Sequence, residues 1–189
     1  MKIILGSQSR FRAQALREAG IEVDECISPG IDEKAIRCDD PEKLVLALAK
    51  AKAEAIVDKI DGPAILITAD QVVVCNGEMR EKPQSREEAT RFLASYVDHP
   101  AEIINGIMVT NTATGAMASG IDIASVQYNK SLLDETEMIV DNSFAMESAG
   151  GLVVENPLMK KHEVQRERTV DSFFGMPIDL VKRLIEEVR

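Results

Sequence analysis

The sequence predicts an α/β protein built on a central twisted, mixed β-sheet flanked by helices. Three observations carry that prediction. The run Ala64-Ile65-Leu66-Ile67-Thr68-Ala69 is almost continuously apolar, as expected of a central strand covered on both faces. The chain opens with a short apolar run, Lys2 to Leu5, which Gly6 turns into a stretch of helical spacing. Beyond these, helix patterns intermix with hairpin signals, so the sheet is mixed rather than parallel throughout.

Taken in order, Phe11, Ala15, Leu16 and Ala19 recur at helical spacing until Gly20 stops them. Ile21 to Ile27 alternates like a half-buried strand and is broken by Ser28-Pro29-Gly30. Pro41 opens a long helix whose apolar stripe is Leu44, Leu48, Ala51, Ala55 and Ile60, and Asp61-Gly62-Pro63 ends it. The central strand reaches Asp70, and Val72 to Val74 lead to an Asn76-Gly77 hairpin turn. Ser85-Arg86-Glu87-Glu88 is a capping box for a helix reaching about Val97. Two β-type runs, Ile103 to Thr110 and Met117 to Tyr128, are joined at Thr114-Gly115, and Leu132 to Val140 reads as a helix. Pro177, then Leu180, Val181, Leu184, Ile185 and Val188, gives a terminal amphipathic helix. No repeat, low-complexity tract or linker interrupts the chain, so a single domain over residues 1–189 is expected.

A net charge of −10 repels polyanions at long range, which argues against binding nucleic acid or an anionic membrane. A small phosphorylated ligand needs only a local cluster of Lys and Arg. No stretch approaches the roughly 20 apolar residues of a membrane span. Cys26, Cys38 and Cys75 lack paired spacing, so reduced thiols in a cytoplasmic protein are expected. With two His and no nucleophile motif around a Ser or Cys, triad and zinc hydrolases have little support.

Chemistry concentrates in three places. Gly6-Ser7-Gln8-Ser9-Arg10-Phe11-Arg12 spans a strand-to-helix turn, where unpaired N–H groups and the helix dipole seat phosphate. The same residues fit a plain Ser9 cap with solvated arginines. Asp70 ends a buried strand, where a carboxylate is costly unless paired or bound to a cation. It suits a general base or a metal ligand, and equally a turn cap or a lysine partner. Asp32-Glu33, Lys50 with Lys52, and Lys82 before Pro83 are the charges a triphosphate and a hydrated metal require, although each is also an ordinary surface charge.

These pieces, in this order, resemble the Maf family of nucleotide pyrophosphatases. Ser7-Gln8-Ser9-Arg10-Phe11-Arg12 is similar to the family's Ser-x-Ser-Pro-Arg-Arg, and Ile31-Asp32-Glu33 to its acidic turn. Leu46-Ala47-Leu48-Ala49-Lys50-Ala51 resembles Leu-Ala-x-x-Lys-Ala, Ala69-Asp70-Gln71-Val72 the Asp-Thr-Val motif, and Glu81-Lys82-Pro83 Gly-Lys-Pro. Ser148-Ala149-Gly150 and Gly175-Met176-Pro177 complete a series that covers essentially the whole chain. Arg10, Glu81 and Asn156 depart from the family's Pro, Gly and Gly, and residues 156–169 carry no reading.

The resemblance implies a central mixed sheet with two lobes around a cleft, a divalent metal (Mg²⁺, Mn²⁺ or Co²⁺) and frequent homodimers. It implies Asp70 as the proton acceptor, with Glu33 helping to place metal or water and Lys82 sharing the catalytic work. Ser7, Ser9, Arg12 and Lys50 would bind phosphates, and Asp70 and Glu33 would face the metal. Phe11, Gln71 and Glu155 stand where many members carry Arg, Thr and Gln, which resembles the subgroup acting on 7-methyl-GTP rather than dTTP and UTP. A positively charged 7-methylguanine gains a cation–π term of about 0.5–2 kcal/mol on an aromatic face. Phe11 also fits the apolar stripe of its own helix. Alternative readings are a pyrimidine (dTTP/UTP) pyrophosphatase and a non-catalytic nucleotide-binding regulator of cell division.

Overall fold

A computed structural model describes residues 1–189. The strands are β1 (Lys2–Leu5), β2 (Glu25–Cys26), β3 (Ala64–Cys75), β4 (Glu78–Arg80), β5 (Ala101–Asn111), β6 (Met117–Tyr128) and β7 (Glu163–Glu167). The helices are α1 (Arg10–Glu18), α2 (Pro41–Val57), α3 (Arg86–Ser95), α4 (Thr136–Asp141), α5 (Pro157–Lys160), α6 (Val170–Phe173) and α7 (Ile178–Val188). One seven-stranded sheet runs β2-β1-β3-β5-β6-β7, with β4 paired to β3. β1 is parallel to β2 and β3, whereas β3–β4 and β6–β7 are antiparallel. The predicted α/β class with a mixed sheet is therefore observed.

The chain forms two compact units, each from interleaved segments. Unit 1 comprises Met1–Gln71, Asn105–Asp122 and Asp171–Arg189, and unit 2 comprises Val72–Ile104 and Ile123–Val170.

In unit 1, strand alternation sorts side chains onto two faces. Leu5, Ile65, Ile67, Ala69, Ile107 and Val109 pack with Ala15 and Leu16 of α1 and with Leu180, Val181, Leu184 and Ile185 of α7. Ile4, Ala64, Leu66 and Met108 pack with Ala49, Ala53 and Ile56 of α2. Gly106 lets α2 lie directly on the sheet, since a Cβ there would come within 2.6 Å of the Val45 carbonyl carbon. Gly6 serves the same helix, a Cβ there being 2.8 Å from Ile56 Cδ1. Thr68 Oγ1 adds a buried bond to the Ala49 carbonyl at 2.7 Å.

In unit 2, Asn76 (φ 50°) and Gly77 (φ 76°) form the expected hairpin turn. Ser85 caps α3 by accepting from Glu88 N, and Glu88 in return accepts from Gln84 N at 2.7 Å. The buried Arg80 guanidinium lies over the Phe92 and Tyr96 rings and donates to Ser95 Oγ at 2.7 Å.

Four expectations differ in extent, the first being α2, which ends at Val57 rather than reaching Ile60. Ile21 to Ile27 yields only the two-residue β2, because Gly20 and Ile21 donate back to Arg17 and Leu16 and close the end of α1. Leu132 to Val140 is two pieces, a 3₁₀ turn (Lys130–Asp134) and α4, with non-helical backbone at Glu135. Within residues 156–169 the mostly exposed β7 pairs with β6, and its polar sequence hides the alternation. No helix is long and apolar enough to cross a membrane.

Gly106→Val forces a branched side chain against the α2 backbone. Its chemical denaturation should show a loss of at least about 2 kcal/mol, and wild-type stability would contradict the close approach.

Candidate active site

The site in unit 1 begins with the parity of β3. Ala64, Leu66, Thr68 and Asp70 share the face toward α2, so a residue two turns beyond Leu44 and one beyond Leu48 meets the strand's end. That residue is Lys52. The buried positions of α2 are Leu44, Val45, Leu48, Ala49, Lys52, Ala53 and Ile56, one continuous stripe with a lysine in it. Lys52 Nζ lies 2.5 Å from Asp70 Oδ1 and 2.9 Å from Glu33 Oε1. Asp32 caps the 3₁₀ turn (Glu33–Ala35) that brings Glu33 there, accepting from Lys34 N at 3.1 Å.

Arg12 approaches Asp70 from α1. Its Nη1 donates to the Ala69 carbonyl at 2.8 Å and to Ser7 Oγ at 3.5 Å. Ser7 Oγ also accepts from Ser9 N at 3.1 Å, while Ser9 caps α1 by accepting from Arg12 N. A Cβ on Gly175 would come within 3.1 Å of Arg12 Nε, so a side chain there would crowd the guanidinium.

Burial raises the Asp70 carboxyl above its ordinary range, against the downward pull of Lys52 and Arg12. Burial likewise lowers the Arg12 guanidinium, and the charges of Asp70 and Glu33 hold it up. The result is a buried carboxylate held between two cations, with a second, more exposed carboxylate on the same ammonium. This arrangement can accept a proton and can bind a phosphate through Arg12.

Structure thus brings Ser7, Ser9, Arg12, Glu33 and Asp70 together in unit 1, but Lys50 does not join them. Its side chain is 57% exposed and pairs with Glu54 at 3.7 Å. Two residues along a helix are about 200° apart, so Lys50 and Lys52 point to opposite sides. The motif expected at Leu46 to Ala51 recurs at Leu48-Ala49-Lys50-Ala51-Lys52-Ala53, and the fold buries the second lysine. A lysine on the apolar stripe was the signal available for finding it.

Phe11 pairs with Phe174 in unit 1, ring centroids 5.4 Å apart, and Arg10 lies over its ring. Gln71 is held in the same unit by Asn105 and the Phe173 carbonyl, each 3.1 Å from Nε2. Lys82 and Glu155 belong to unit 2, and both are exposed. There the Glu81 carbonyl accepts from Gly150 N at 2.9 Å, and the Gly150 carbonyl accepts from Tyr96 Oη at 2.7 Å. Asn156, in place of the family's Gly, caps α5 by accepting from Leu158 N at 2.8 Å.

Among known proteins, the family described as Maf-like protein matches residues 2–188. A 7-methyl-GTP pyrophosphatase of Dictyostelium discoideum is 37% identical over 98% of this chain and 96% of its own. A protein of the same name from Idiomarina loihiensis is 33% identical over 94% of this chain and 89% of its own. A dTTP/UTP pyrophosphatase of Alkaliphilus metalliredigens is 30% identical over 94% and 91%.

Lys52→Met strands Asp70 without its cation and should cost about 3–5 kcal/mol in urea unfolding near neutral pH. The deficit should grow as pH rises above the ordinary carboxylate range, because without the lysine's downward pull burial raises the Asp70 carboxyl further than in the wild type, and the folded variant keeps a proton that the unfolded chain has released. Lys50→Met should leave the midpoint unchanged. Equal losses at the two positions would contradict the burial of Lys52.

Proposed function

This chain belongs to the Maf-like protein family, and on that footing we propose that it hydrolyses 7-methyl-GTP, or a similar modified purine triphosphate, to the monophosphate and pyrophosphate. Its general activity, hydrolysis of an acid anhydride in a nucleoside triphosphate, follows from the family. One observation supports the catalytic reading most: Asp70 is buried and paired with Lys52, with Arg12 and Ser7 beside it.

In this reading the whole chain acts as one catalytic domain. Arg12, Ser7 and the first turn of α1, capped by Ser9, receive phosphate oxygens. Lys82 is a further phosphate ligand, on the strength of the family resemblance. Asp70 accepts the proton of a water attacking the α-phosphorus in line, and pyrophosphate leaves. Burial favours that role by moving the carboxylate's pKa toward working pH. Lys52, rather than Lys50, is the lysine of α2 that serves the site, holding Asp70 and Glu33 in register.

The donor set also fits a divalent cation of one kind. Asp70 and Glu33 converge on a single ammonium, and no group of three or more metal-ligating side chains exists in the chain. Two carboxylates suit a Mg²⁺-like ion that takes its remaining ligands from water and the substrate's phosphates. Bound there, such an ion offsets charge on the phosphoryl oxygens.

For the base, Phe11 with Phe174 supplies an aromatic surface, and a methylated, positively charged purine gains most from it. Gln71 reads its polar edge, and Glu155 is a further reader on the strength of the family resemblance alone. Relatives named for dTTP and UTP support pyrimidine triphosphates as the second reading.

Pyrophosphate release should be compared on 7-methyl-GTP, GTP, UTP and dTTP with Mg²⁺, Mn²⁺ and Co²⁺. The highest kcat/KM is expected on 7-methyl-GTP, and a maximum on UTP or dTTP would replace the first reading by the second. Asp70→Asn should lose about 10²–10⁴-fold in kcat. Near-normal turnover in that variant would remove Asp70 as the base, and triphosphate binding without turnover in the wild type would favour a regulator.

A further inference from the structure

We propose that Asn105 is a positioning residue that decides which end of the Gln71 amide a bound base meets. Gln71 then presents its carbonyl oxygen and selects bases by their N–H donors. The inference rests on the reading above, in which Gln71 contacts the base.

Four hydrogen bonds fix the orientation. Asn105 is fully buried, and its Nδ2 donates to the Ser172 carbonyl at 2.8 Å and toward Asp122 Oδ2 at 3.4 Å. A backbone carbonyl can only accept, so the Ser172 bond determines which end of the Asn105 amide is nitrogen. Asn105 Oδ1 therefore faces Gln71 as an acceptor, 3.1 Å from Nε2. The Phe173 carbonyl, a second obligate acceptor, lies 3.1 Å from the same nitrogen. Both Gln71 N–H donors are thus taken, and flipping the amide would set an oxygen against two oxygens. Gln71 Oε1 carries no hydrogen bond within the protein and is the end left to a ligand.

This has a chemical consequence. A free Gln amide tolerates donor or acceptor by rotating, whereas this one offers only an acceptor. Guanine-type edges present adjacent N–H donors, from the ring and the exocyclic amine. A uracil or thymine edge places carbonyl oxygens on either side of its one N–H. A site whose polar group is left unpaired by the wrong edge discriminates against it. The Ser172–Phe173 segment supplies both carbonyls, and Gly175 two residues on abuts both Gln71 and Arg12. One stretch of chain thus sets the base-reading amide and adjoins the phosphate-binding guanidinium.

The test measures the ratio of kcat/KM on 7-methyl-GTP to that on UTP for wild type, Asn105→Leu, Gln71→Ala, the double variant and Asn105→Asp, with thermal unfolding to confirm folding. Asn105→Leu and Gln71→Ala should each lower the ratio about tenfold, the worth of one well-made hydrogen bond. The double variant should fall no further, because Asn105 acts through Gln71. Asn105→Asp, kept protonated by burial beside Asp122 and the Ser172 carbonyl, still turns an oxygen to Gln71 and an O–H donor to Ser172, and should hold the ratio within about threefold. It also keeps the proposal testable if Asn105→Leu fails to fold. An unchanged ratio in folded Asn105→Leu or in Gln71→Ala, additive losses in the double variant, or a full loss in Asn105→Asp would each overturn the inference while leaving the substrate reading intact. A wild-type enzyme that does not favour 7-methyl-GTP over UTP would overturn the substrate reading and this inference with it.

Discussion

The buried contact between Lys52 and Asp70 is the constraint on which the rest of unit 1 depends. Two opposite charges withdrawn from water are costly singly and tolerable only together. Each therefore dictates the placement of the other's element. α2 must lie close enough for a lysine to reach the end of β3, and Gly6 and Gly106 supply that closeness by having no side chain. Glu33 joins the same ammonium from a short 3₁₀ turn, and Arg12 comes in from α1 on the far side of the strand's backbone.

That geometry explains why one β-strand serves two chemical purposes. Successive residues of β3 face opposite sides of the sheet. Asp70 meets Lys52 on the α2 face, and Gln71 meets the Ser172–Gly175 segment on the other. A charge-handling residue and a base-reading residue can be neighbours in sequence because the pleat separates their surroundings. Arg12 binds the carbonyl of Ala69, next to both, and so ties α1 to the place where the two faces adjoin.

Much of the fold was legible beforehand because its signals are local. The apolar run at Ala64 to Ala69, the Asn76-Gly77 turn, the Ser85 cap and the terminal stripe through Val188 each specify their element within a few residues. The segments whose structure departs from their local signals are those decided by partners. Ile21 to Ile27 has strand alternation but only β1 beside it, and it pairs over two residues. β7 is a polar edge strand recognisable only by its pairing with β6. Among the site residues, Asp70, Glu33, Arg12 and Ser7 were legible as chemistry at element ends, whereas Lys52 was masked by a motif that repeats two residues apart.

By itself the sequence determined the class of fold, the order of most of its elements, and the set of acidic and basic groups available for phosphate chemistry. These follow from periodicity, turn chemistry and an ordered series of motifs, all encoded along the chain. Tertiary structure alone decided which lysine is buried, which end of the Gln71 amide is free, and which aromatic accompanies Phe11. Those outcomes depend on contacts between residues far apart in sequence, where helix rotation, strand parity and the saturation of hydrogen-bond donors select one arrangement among several the sequence allows.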